Sequence, residues 1–202
     1  MVRHGETPWI VERRYQGKTD VPLNPKGIRQ AKVIARLLQK EGPSYLYTSK
    51  LRRAQDTARV IGRKLHLQPV SDARLNELDF GKWEGLTFGD LSGKNRKTFQ
   101  RWREGKLTKP PGGESLHSLA RRVGQFFKEI TQRHQEQTVT IISHGGPIKM
   151  FLLKALFVVG AYGRRPLPSI WSFRIEPASV SLIEGTPELF QIAWMNRTDH
   201  LL

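Results

Sequence analysis

Short β-prone runs alternate along this chain with longer stretches of helical period, and no other feature restricts the fold as tightly. The clearest example is "TVTIIS" at residues 138–143, which passes directly into His144-Gly145-Gly146-Pro147 and an apolar helical stretch. A continuous β-branched run suits a strand covered on both faces, as in a parallel sheet. Pro147 suits the first turn of a helix, where a missing N–H costs nothing.

The same order recurs upstream. In "PLNPKGIRQAKVIARLLQKEGP" Asn24 is a candidate N-cap, Pro25 takes the first helical position, and Ile28, Ala31, Ile34, Ala35 and Leu38 recur at helical spacing until Gly42-Pro43. "SYLYTS" reads as a strand and leads into "KLRRAQDTARVIGRKL", where Ala54, Thr57, Ala58, Ile61 and Leu65 line one face and Ser49 is available as the cap. Leu116, Leu119, Ala120, Val123, Phe126, Phe127 and Ile130 form the stripe of a further helix, and "ASVSLIE" with "ELFQIAWM" reads as a closing strand pair. Strands alternating with helices predict an α/β fold, a three-layer sandwich around a mostly parallel central sheet. With 202 residues, no internal repeat and no low-complexity linker, residues 1–202 are expected to form a single domain.

Ligands of such sheets sit beyond the carboxyl ends of the strands. "MVRH", "YLYTS" and "TIISH" all end in polar residues there, so Arg3, His4, Ser49, Arg53 and His144 are expected to meet. The 34 Lys+Arg against 18 Asp+Glu leave a net charge of +16, a field that attracts anions. No Cys is present, which excludes disulfides, thiolate metal sites and a cysteine nucleophile. The longest apolar stretch, "MFLLKALFVVGAY", is too short to span a bilayer and carries Lys154, and no signal peptide is recognised, so a cytoplasmic protein without membrane contact is expected.

These residue types suit phosphoryl transfer. A phosphoryl group spreads negative charge over three oxygens, and bidentate guanidinium groups surround it better than ammonium groups do; Arg3 and Arg53 are the candidates. A neutral imidazole with one nitrogen held as donor can attack phosphorus through the other, a role for His4, with His144 as a further donor. The departing alkoxide needs a proton from a carboxylic acid. "LNELDFGKWEG" offers Glu77, Asp79 and Glu84, and spacing does not choose among them.

"VRHGET", "QGKTDVPLNPKGIRQA", "YTSKLRRAQDTA", "LNELDFGKWEG", "PGGES" and "SHGG", in that order, resemble the histidine phosphatase superfamily, which includes the cofactor-dependent phosphoglycerate mutases. "WMNRTDHLL" is similar to the family's closing segment. The resemblance implies a phosphoglycerate-mutase-like fold, phosphorylation of His4 during turnover, and phosphoryl binding by Arg3, Arg53 and His144. It also implies Glu77 as proton donor and later base, secondary contacts from Gln16 and the Gly145 amide, and no metal or organic cofactor.

Two departures accompany it. Ile10 stands where relatives commonly have a phosphate-contacting Asn, leaving Gln16 as the substitute. Only Met1 and Val2 precede Arg3, so the first strand is expected to be short or the natural start to lie upstream. "SHGGPIK" and "DFGKWEGLTF" look more like the phosphatase branch than the mutases, and the latter is similar to α-ribazole phosphatases. A phosphomonoesterase acting on a small phosphorylated metabolite, an α-ribazole phosphate or a sugar phosphate, is therefore expected. A phosphoglycerate mutase and a non-catalytic basic module are the alternatives. Specificity is expected to reside in Phe88–Pro111 and in "AYGRRPLPS".

Phe80 and Trp83 are expected as core or pocket wall, Glu6 as an orienting group, and His66, His117, His134 and His200 as surface or local packing. Arg121, Arg122, Lys128 and Arg133 fall off their helix's apolar stripe, as solvated charges should, and no recognition motif accompanies the basic runs, so nucleic acid is not an expected partner. A homodimer is compatible with the sequence.

Overall fold

A computed structural model describes residues 1–93, 95–157, 170–186 and 189–202. The chain enters the sheet with β1 (Val2–Arg3), passes through a short helix α1 (Pro8–Val11), and builds α2 (Pro25–Glu41), β2 (Tyr45–Thr48), α3 (Arg52–Leu65) and β3 (Val70–Ser71). Two small helices, α4 (Phe88–Ser92) and α5 (Arg96–Arg103), precede α6 (Leu116–Arg133), β4 (Val139–Ser143) and α7 (Gly145–Phe157). An antiparallel pair, β5 (Val180–Thr186) and β6 (Leu189–Arg197), follows.

The six-stranded sheet has the order β3-β2-β4-β1-β5-β6. Pairing is parallel from β3 to β1 and antiparallel from β1 to β6. Alternating side chains reach opposite faces of a strand, and here they feed two cores. Leu46 and Ile142 join Ile34, Ala35 and Leu38 of α2 and Ala54, Ala58 and Ile61 of α3. Their neighbours Tyr47 and Ile141 join Leu119, Val123 and Phe126 of α6, Phe151 of α7, and Phe99 and Trp102 of α5. The result is a mostly parallel sheet between two helical layers. No described helix is long and apolar enough to cross a membrane.

Local expectations divide. Asn24 caps α2 by accepting from the Gly27 N–H at 2.8 Å, and α6 buries its predicted stripe except for the half-buried Leu116 and Ala120. Ile28, read as part of the α2 stripe, is 41% exposed, because Gly27 instead faces Glu6 with no room for a Cβ. Leu51, not Ser49, takes the cap position of α3. Arg121, Lys128 and Arg133 are exposed, whereas Arg122 is mostly buried under the loop that carries Glu77. Of the segments expected to set specificity, Phe88–Pro111 is described except for residue 94, and "AYGRRPLPS" lies outside the described residues.

Candidate active site

The register aligns Arg3 with Ser143 and Thr48 with Ile142, so β1, β2 and β4 end together. His4 follows the first of these strands, Ser49 the second and His144 the third. Each is tied across the edge: the His4 N–H donates to the Ser143 carbonyl at 3.0 Å and the Ser49 N–H to the Ile142 carbonyl at 3.1 Å.

His4 is buried, and its Nδ1 lies 2.8 Å from the Gly5 carbonyl. A carbonyl can only accept, so Nδ1 carries the proton and Nε2 keeps its lone pair. Burial, then the positive charges of Arg53 and Arg3, hold the imidazole well below its ordinary value, and it stays neutral near pH 7.

Arg53 is fully buried. Its Nη1 donates to the Thr19 carbonyl at 2.8 Å, its Nη2 to the Gly17 carbonyl at 2.7 Å and its Nε to His144 Nδ1 at 3.3 Å, which leaves two of its five N–H groups for an anion. Burial brings this guanidinium down to about 10. Arg3 reaches the Ile175 carbonyl through Nη1, while its buried Nε has no partner among the described residues. An orphaned cationic donor in a pocket wall calls for an anion.

His144 packs behind His4, with ring centroids 4.9 Å apart, and its imidazole is held neutral by burial and then by Arg53. Its Nε2 is 2.7 Å from Ser49 Oγ, which accepts from the Leu51 N–H at 3.0 Å. Ser49 is therefore used to orient His144, and this explains why it does not cap α3.

The three carboxylates separate by environment. Glu77 lines the pocket, its Oε1 accepting from Leu78 N–H at 2.8 Å and Gly146 N–H at 3.0 Å. Asp79 pairs with Lys18 at 2.9 Å and accepts from the Gly81 N–H. Glu84 accepts from the N–H groups of Lys18, Thr19 and Phe80 and from the Thr19 hydroxyl, and so fixes the loop whose carbonyls hold Arg53. Only Glu77 of the three faces the pocket.

The pocket has a volume of about 290 Å³ and gathers Arg3, His4, Gln16, Arg53 and Glu77. Gln16 is buried, its carbonyl oxygen held by the Thr7 hydroxyl at 3.0 Å, so its NH₂ is the free end. Ile10 forms apolar wall beside it. Gly145 opens α7 next to the pocket; a Cβ there would be 3.8 Å from Glu77 Oε2 and 4.0 Å from Arg3 Nε. Among the described residues no group of three or more His, Cys, Asp and Glu side chains is placed to hold a metal ion.

The model of the histidine phosphatase superfamily (branch 1) matches residues 1–198. The chain belongs to the histidine phosphatase superfamily. A similar member of that superfamily is phosphoserine phosphatase 1 of Hydrogenobacter thermophilus, 35% identical over 202 residues, covering 100% of this chain and 92% of that one. Another is the adenosylcobalamin/alpha-ribazole phosphatase of Salmonella typhimurium, 32% identical over 189 residues, covering 91% and 88%. A mycobacterial glucosyl-3-phosphoglycerate phosphatase solved with VO3 superposes with a TM-score of 0.87 at 30% identity, covering 98% of each chain.

Sequence reasoning missed several residues that line this pocket or act on Glu77. Arg13 and Arg14, which follow α1, and Tyr15 line the pocket, and Arg13 takes a left-handed φ of 57°. No periodicity marks them, since they leave a four-residue helix. Gly146 and Arg122 act on Glu77 from other elements, and their signal was local sequence of another apparent purpose.

Proposed function

We propose that the protein is a metal-independent phosphomonoesterase that works through a phosphohistidine on His4. The observation that carries this reading is the His4 imidazole: neutral, its Nδ1 proton held by the Gly5 carbonyl, in a pocket walled by Arg3, Arg53 and Glu77. In the first step His4 Nε2 attacks phosphorus, the bond from phosphorus to the leaving oxygen breaks, and Glu77 protonates that oxygen. In the second, Glu77 takes a proton from water, the oxygen attacks phosphorus, and His4 leaves with its lone pair restored as inorganic phosphate forms. Arg3 Nε and the spare N–H groups of Arg53 stabilise the charge on the equatorial oxygens. Gln16 and the Gly145 amide add neutral donors. His144 joins these donors in the tautomer that carries its one proton on Nδ1, in which Nε2 accepts from the Ser49 hydroxyl and Arg53 Nε turns from Nδ1 to the anion.

A small phosphorylated metabolite is the substrate class this site supports, in line with the phosphoserine, α-ribazole and glucosyl-3-phosphoglycerate phosphatases that the chain resembles. The test is hydrolysis of phenyl phosphate with chelator present, in the parent and in His4→Ala. Turnover by the parent, an acid-labile phosphoryl label on it, and loss of both in the variant are expected. A metal requirement, or a label that survives in His4→Ala, overturns the mechanism. Isomerisation of 3-phosphoglycerate faster than any hydrolysis overturns the hydrolase reading.

A further inference from the structure

A second and larger cavity of about 660 Å³ opens beside the phosphoryl pocket, with Phe88 lining both. Its size is that of a small-molecule site. One wall is a single face of α5: Arg96, Phe99, Gln100 and Arg103 follow the i, i+3, i+4, i+7 pattern that stacks side chains along a helix. Phe88 and Phe99 meet edge to face at 5.5 Å, and Tyr15 of the phosphoryl pocket packs on Phe99 at 6.0 Å, so an aromatic wall runs from one cavity into the other.

The charges are equally directional. Arg103 lies over the Phe88 ring at 5.7 Å, and neither Arg96 nor Arg103 has an ion pair among the described residues. The acid in the lining, Glu104, is already engaged by Lys106 at 2.9 Å and by Gln100. An exposed arginine is ordinarily just solvated. Two of them one helical face apart, flanking an aromatic floor that leads away from His4, form a recognisable receptor.

We infer that this chamber is the leaving-group subsite, built for an apolar, ring-sized body that ends in an anionic substituent. The proposal rests on the phosphatase reading, which supplies the adjoining phosphoryl site. A substrate spanning both cavities places its phosphoryl group at His4, lays its apolar body against the exposed Phe88, which the buried Phe99 backs, and sets its second anion between Arg96 and Arg103. Small phosphorylated alcohols fill only the first cavity and forgo that binding.

Binding is measured calorimetrically with phenylphosphonate, 2-naphthylphosphonate and 6-carboxy-2-naphthylphosphonate, and turnover with the three matching aryl phosphates. Affinity is expected to rise about tenfold from phenyl to naphthyl and about threefold more with the carboxylate. The double variant Arg96→Gln/Arg103→Gln, at two exposed positions, is expected to lose the carboxylate gain and keep the naphthyl gain. Three phosphonates binding alike, or a carboxylate gain that survives the double variant, overturn the subsite. Phosphonates ranked as expected with no aryl phosphate hydrolysed support the subsite and overturn the phosphatase reading instead; hydrolysis without ranking does the reverse.

Discussion

Gly146 marks where the carboxylate of the proposed general acid and the backbone compete for one volume. A Cβ at this position would sit 2.4 Å from Glu77 Oε1, the oxygen that its own N–H holds at 3.0 Å. Gly146→Ala must therefore push the carboxylate away, and since the displaced atom ends a flexible side chain, the fold can absorb the change. We expect kcat to fall about 10²-fold, the usual scale for a displaced general acid. Stability should stay within about 1 kcal/mol of the parent, because Ala recovers helix propensity in α7. Kinetics on an aryl phosphate and a urea melt decide the matter, and an undiminished kcat would remove Glu77 from the mechanism. At this scale the sequence was partly legible. His4, Arg3, Arg53 and His144 stood out because strand ends converge, but Glu77, Asp79 and Glu84 were indistinguishable by spacing. What separates them is partner choice, Gly146 for one, Lys18 for the second and the residue 17–19 loop for the third, and partners come from elements that spacing along one segment does not see.

Between elements, Arg122 links α6 to the segment that carries Glu77. All five of its N–H groups are used: two on Glu114 at 2.8 Å each, and three on the carbonyls of Arg74 (2.7 Å), Asn76 (2.6 Å) and Glu77 (3.1 Å). Its place off the apolar stripe of α6 predicted a solvated charge, and that reading fails because helical periodicity records what a helix turns toward the sheet, not what a loop lays over its flank. α2 and α6 were legible, since capping and stripe are properties of their own sequence; the cover over Arg122 was not. Arg122→Gln strands Glu114 and three carbonyls, and it is expected to cost about 3 kcal/mol of stability. Once corrected for the folded fraction, kcat should still fall about tenfold, on the scale of a small misplacement of a reacting group. Inhibition by inorganic phosphate, bound through Arg3 and Arg53, should be unchanged. Arg122→Lys restores one charge but not the fork, so it should recover stability more than kcat. A kcat that returns to the parent value after the folding correction would reduce Arg122 to a purely structural role.

For the molecule as a whole, the sheet edge that creates the pocket also sets its response to acid. His4 and His144 are buried between Arg3 and Arg53 and held neutral, both with values well below the ordinary 6.5, and His200 is lowered by burial as well. An unfolded chain protonates these imidazoles near pH 6.5 while the folded chain does not, so below that pH the unfolded state binds more protons. Their contribution to stability is therefore complete above about pH 6.5. It is lost as pH falls from there toward the depressed folded-state values, at up to about 1.4 kcal/mol per pH unit for His4 and for His144 and by less for the more exposed His200, which solvent screens. Carboxylates whose values are lowered, Glu6 by Asn24 and Lys26 and Asp79 by Lys18, add their own losses only at lower pH. Denaturant melts in phosphate-free buffers should fall by roughly 1–3 kcal/mol between pH 7 and pH 5.5, and the α-amino group of Met1, brought down to about 5 by burial, adds a loss of the same sign from pH 8 downward. His4→Gln should flatten that fall, because a neutral amide removes one of the titrating groups. A parent protein equally stable at pH 7.5 and 5.5 would mean that the imidazoles are free to protonate in place, and His4 would then lose its free lone pair as pH falls through the ordinary 6.5.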